Sequence, residues 1–134
     1  MRIKLFLNTA ICLFLSNATF ANDADLCNSK LQSGSYKAAK PYCEKACNQK
    51  YKAGCSAIGA LYYVNGNFKQ AKPYFEKACK LGASEGCNLL GTMYYEGQGV
   101  RQNKRKAKEY FGQACDLGDQ LNCDIYRRLN EEGY

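Results

Sequence analysis

Residues 76–91 read EKACKLGASEGCNLLG and carry two cysteines eight apart, Cys79 and Cys87. Almost the same phrase stands at 44–59 as EKACNQKYKAGCSAIG, and a looser copy stands at 112–127 as GQACDLGDQLNCDIYR. From Cys47 to Cys79 is 32 residues and from Cys79 to Cys115 is 36, the second unit being longer around residues 100–104. Repeats of that period are the mark of an α-solenoid, in which each helix-turn-helix unit buries its apolar face on the next.

The repeat predicts seven helices near 23–33, 36–48, 53–65, 68–81, 85–97, 103–117 and 119–132. They make three A/B pairs and a final capping A helix, in one domain over 22–134. Asn65-Gly66 and Gly97-Gln98-Gly99 stop A helices, and Leu81-Gly82 and Leu117-Gly118 stop B helices. Leu90 and Tyr94 lie four apart with Met93 beside them, which gives the third A helix an apolar stripe. Gly59 and Gly91 sit mid-helix, where glycine costs about 1 kcal/mol against alanine. That cost is explained if Phe75 and Phe111 of the facing B helices need the space. In the first unit Cys27 takes the glycine's place and Cys43 the phenylalanine's, so these two cysteines are expected to touch and bond.

The chain opens MRIKLFLNTAICLFLSNATFA. Basic Arg2 and Lys4, an apolar run from Leu5 to Leu15 and a small residue at Ala21 have the order of a secretory signal, residues 1–21, cleaved after Ala21. The apolar run, broken by Asn8 and Thr9, is too short for a membrane span. Lipid attachment at Cys12 is disfavoured by Ile11 before it. Of nine cysteines, eight remain after the leader, an even number suited to a disulfide framework in a secreted or periplasmic protein. The expected pairs are Cys27–Cys43, Cys47–Cys55, Cys79–Cys87 and Cys115–Cys123. Metal is the competing use of Cys43 and Cys47; without a single histidine or a facing cysteine pair, none is expected.

The stretch CNLLGTMYYEGQGVRQNKRKAKEYFGQACDLG resembles a Sel1-like repeat, a relative of the tetratricopeptide repeat, at its leucine-glycine, tyrosine, glycine-x-glycine-valine and lysine-alanine positions. The unit at 56–81 lacks the glycine-x-glycine-valine loop and looks more like a plain tetratricopeptide unit. With the cysteine spacing added, the chain resembles the Helicobacter cysteine-rich secreted proteins. That resemblance implies an all-α, short α-solenoid of antiparallel helix pairs stapled by disulfides, export, and a label of penicillin binding or β-lactamase activity.

The residues themselves nominate no enzyme. Without histidine there is neither a Ser-His-Asp nor a Cys-His arrangement. None of Ser29, Ser33, Ser35, Ser56 and Ser84 has lysine three positions later, and the other β-lactamase motifs are absent. Glu131 and Glu132 are adjacent and diverge on a helix. No cofactor is implied. A β-lactamase-like hydrolase therefore rests on the resemblance alone, as does a penicillin-binding role.

The leading expectation is protein or peptide binding on a concave A-helix wall. Its stripe runs Asn88, Thr92, Tyr95, with counterparts Ser56, Ala60, Tyr63 and Asp124, Arg128, Glu131. Packing of Tyr63 and Tyr95 between units is the competing reading. The chain is basic, with 19 Lys and Arg against 12 Asp and Glu, and RQNKRKAK at 101–108 concentrates the charge. A solvated face is the plain reading of such a run; acidic partners, lipid head groups or cell-wall fragments also suit it. Nucleic acid does not, since no base-stacking pattern accompanies the charges.

Overall fold

The computed structural model describes residues 22–134, and the expected leader and Cys12 lie outside them. Seven helices follow in order: α1 (Asp23–Gln32), α2 (Tyr36–Asn48), α3 (Lys52–Val64), α4 (Phe68–Lys80), α5 (Ser84–Glu96), α6 (Lys104–Asp116) and α7 (Gln120–Glu131). Each packs mainly on its neighbours in sequence, and α1, α3, α5 and α7 form the A series. The boundaries fall within one residue of the sequence expectation. Leu81 and Leu117 prove to be C-caps rather than helical residues.

Each B-to-A joint is the same turn. At the end of α4 the Gly82 N–H donates to the Cys79 carbonyl at 3.0 Å and the Ala83 N–H to the Ala78 carbonyl at 2.9 Å; α2 and α6 end alike. The turn needs a positive φ, supplied by Gly82 (92°) and Gly118 (99°). At the first joint Lys50 takes this conformation at φ 66°, the one described residue other than glycine with φ above zero. A side chain there costs about 1–2 kcal/mol, so the first joint carries strain that the others avoid.

The turn also explains the cysteine spacing. It brings the last turn of a B helix against the first turn of the next A helix, with Cα–Cα separations of 4.4–4.7 Å for Cys47–Cys55, Cys79–Cys87 and Cys115–Cys123. A fourth bridge joins Cys27 and Cys43 inside the first pair. Closing a nine-residue loop removes roughly 2.6 kcal/mol of unfolded-chain entropy.

The core consists of linked clusters along the joints rather than one central mass. Alanines recur at its closest approaches: Ala39, Ala71 and Ala107 on one turn of the B helices, Ala46, Ala78 and Ala114 two turns on, all fully buried. The mid-helix glycines meet the phenylalanines. A Cβ on Gly59 would lie 2.6 Å from Phe75 Cε1, and one on Gly91 2.7 Å from Phe111 Cε1. A second pair of glycines escaped the sequence reading. Gly54 and Gly86, each just before an A-helix cysteine, would place a Cβ 2.7 Å from the Ala46 and Ala78 Cβ atoms. The third copy of that position is Asn122, fully buried with both amide atoms unpartnered.

The four residues added in the longer unit brace it. Gly97 ends α5 in the left-handed region, and Gly99 presses so closely on Phe68 that a Cβ would lie 2.6 Å from the Phe68 Cβ. Val100 packs against both neighbouring clusters.

Candidate functional site

The A helices expose a groove of about 640 Å³ at the amino-terminal end of their wall. Ala53, Ala57, Ala60 and Leu61 of α3 line it, with Leu31 from α1 and Val64 at the end of α3. Its polar rim is Asn28, Asn65 and Glu85. Three alanines on successive turns leave room that larger side chains would fill. Val64 is 75% exposed and Tyr36, which also lines the groove, is 59% exposed. Apolar groups left in water beside a recess are typical of a surface that a partner covers.

The residues singled out from sequence divide between this wall and the packing behind it. Ser56 lines the groove, but its Oγ is buried and has no hydrogen-bond partner. Asn88 and Thr92 continue the same stripe onto α5, the Thr92 hydroxyl donating to the Asn88 carbonyl at 3.1 Å. Arg128 is exposed on α7. Tyr63 is half-buried, edge-on to Phe68 (centroids 5.1 Å) and Phe75 (6.0 Å), and its hydroxyl donates to Gln98 Oε1 at 2.7 Å. It ties α3 to the added loop. Tyr95 is half-buried too, with Lys104 Nζ 5.2 Å from its ring centroid.

A polar seam on the other side of the A helices was not foreseen. Tyr62 and Tyr74 stack with centroids 5.7 Å apart, and both hydroxyls donate to Glu44 Oε1, at 3.5 and 3.4 Å. Lys40 Nζ stands 4.3 Å from the Tyr62 ring centroid. One repeat on, Tyr94 and Tyr110 stack at 5.6 Å beside the Lys72–Glu76 ion pair, whose N–O distance is 2.5 Å. Equivalent tyrosines thus stack within two successive units, and at the first of these the Glu44 bonds join the stack to the unit before it.

Burial raises the Tyr74 phenol above its ordinary range, and the Glu44 carboxylate adds to the shift. Burial, then Tyr94, does the same for Tyr110. In the unfolded chain both phenols lose their protons first, near pH 10. Above that pH the folded state holds more protons than the unfolded one, so stability falls as pH rises. The thermal midpoint is therefore expected to fall above about pH 10. Tyr74→Phe with Tyr110→Phe is expected to flatten that fall; an unchanged slope in melts followed by circular dichroism would remove the seam from the account.

Charge separates the two walls. The A helices carry six acids and four bases, whereas α2, α4 and α6 carry eleven bases and four acids. All eight cysteines among the described residues are in bridges, so none is a free thiolate nucleophile. No group of three or more His, Cys, Asp or Glu among the described residues is placed to hold a metal ion.

A Sel1 repeat model matches residues 84–119 and a tetratricopeptide repeat model matches 54–82. Among solved structures, Helicobacter pylori cysteine rich protein B (hcpB) is 30% identical, covering 89% of this chain and 93% of its own, with a TM-score of 0.67. The chain belongs to this cysteine-rich family of Sel1-like repeat proteins. No curated protein sequence matches it. In this Sel1-like protein no described helix is long and apolar enough to cross a membrane.

Proposed function

We propose that this Sel1-like repeat protein is exported, loses residues 1–21, and binds an extended peptide segment of a partner protein along its A-helix wall. The observation that carries the reading is the apolar groove between α1 and α3, open to solvent and lined by small side chains. An extended chain suits it because side chains on alternate residues point the same way. One apolar side chain enters beside Ala57 and Ala60, while the neighbouring backbone meets Asn28 and Asn65. Ser56, Asn88, Thr92 and Arg128 continue the contact surface toward α7, and Tyr63 and Tyr95 hold that surface in shape. Four disulfides suit an oxidising compartment outside the cytoplasm. The bridges keep the wall preformed, so little ordering cost falls on binding.

The test uses the oxidised protein against a displayed library of random peptides. Ala60→Asp and Val64→Asp place a charge in the groove at positions where the fold has space. Each is expected to weaken selected peptides about tenfold or more, because a buried unpaired carboxylate is costly. Selected peptides that bind both variants as tightly as the parent would rule the groove out.

A further inference from the structure

The excess positive charge is ordered. Lys37, Lys69 and Arg105 occupy equivalent positions at the start of α2, α4 and α6, and Lys45 and Lys77 repeat eight residues later. All five are exposed. None takes part in an ion pair, the only pairs among the described residues being Lys72–Glu76 and Arg127–Asp124. Eight residues of helix separate the two rows by about 12 Å. Between the rows α2 and α4 carry the exposed Pro41 and Pro73, and α6 carries the exposed Glu109, which forms no ion pair with Arg105. None of the three helices has an acid in its first turn, so the row at 37, 69 and 105 opposes each helix dipole at a cost in stability.

We propose that this B-helix wall is a docking surface for an extended acidic polysaccharide that runs across the three helices along the row Lys37, Lys69 and Arg105. The occupant follows from charge and from what the wall lacks. A polymer with a negative group on each repeating sugar meets successive cations without needing an apolar pocket. Insertion into a lipid surface needs apolar or aromatic anchors. Exposed aromatic side chains stand at the two ends of the row, Tyr36 beside Lys37 and Tyr134 beside Arg105, with none at Lys69; Val64 lines the groove, and Leu81 and Leu117 cap the B helices.

Heparin oligosaccharides of graded length, followed by titration calorimetry on the oxidised protein, serve as the probe. Lys37→Gln/Lys69→Gln/Arg105→Gln is compared with a control losing equal charge elsewhere, Lys50→Gln/Lys52→Gln/Arg127→Gln. The row variant is expected to lose about tenfold or more in affinity and the control under about threefold, three direct contacts being removed against general charge alone. Affinity is expected to rise with oligosaccharide length until all three helices are spanned. Equal losses in the two variants would reduce the effect to net charge and overturn the proposal. So would phosphatidylglycerol vesicles binding more tightly than the glycan with the same dependence on the row. All six substituted residues are exposed, so no large loss of melting temperature is expected in either variant, the row variant melting slightly higher for the loss of three cations that oppose helix dipoles; this separates lost binding from lost fold.

Discussion

Replacing Gly91 by valine is expected to destabilise the protein by about 3 kcal/mol, a drop of about 10 °C in melting temperature for a chain this size. A Cβ at this position would stand 2.7 Å from Phe111 Cε1 and 2.8 Å from Cδ1. The ring cannot give way cheaply, because it lies in a cluster with Tyr94, Ala107 and Leu129. Valine recovers only a fraction of a kcal/mol in helix propensity over glycine. Phe111→Ala should itself cost about 3–5 kcal/mol through the cavity it leaves. The informative variant is the double one. With the ring gone, the valine fills part of its space, so the double mutant should be more stable than the sum of the single losses by about 1–2 kcal/mol. Urea unfolding of the four proteins measures this; strict additivity would mean that the two residues do not share the space.

The second large effect concerns the bridge that replaces this contact in the first unit. Cys27→Ala with Cys43→Ala opens the 16-residue separation and should cost about 3 kcal/mol. Both sulfurs are removed, so no odd thiol is left to exchange with the remaining bridges. Cys27→Gly with Cys43→Phe installs the pair found in the later units and should recover about half of the loss through apolar burial. A glycine-phenylalanine variant no more stable than the alanine one would show that the first unit is not built on the same plan. Alanine substitution without any loss would show that the bridge adds nothing to the packing around it.

The helices and their joints were legible because the signals repeat. A cysteine spacing found three times, a glycine after two of the three B helices and an aromatic facing each mid-helix A-helix glycine all restrict the backbone itself. The glycine-phenylalanine logic could be read across units because both partners sit at fixed offsets. Gly54 and Gly86 carried the same information and were passed over, since a glycine in the first turn of a helix costs little and need not mark a close contact. Tyr63 shows where sequence runs out. Its hydroxyl partner, Gln98, is 35 residues away on a loop whose path no local pattern fixes. The seam of Tyr62, Tyr74 and Glu44 was invisible for a related reason: adjacent tyrosines in a helix face different neighbours, and only the assembled units decide which. The groove was partly hidden too. Ala60 stood on the expected stripe, but nothing local marks Ala53 and Ala57, and only the assembly of α1 against α3 leaves the three uncovered together.

The order of the bridges along the chain has a consequence for how the molecule is made. Every one joins a cysteine to the next cysteine in sequence, 27 with 43, 47 with 55, 79 with 87 and 115 with 123. Eight thiols allow 105 pairings, and this is the one that a chain emerging amino end first reaches by oxidising each new thiol with its predecessor. A crosslink closing in that order would meet no competing thiol, so this pairing would need no reshuffling.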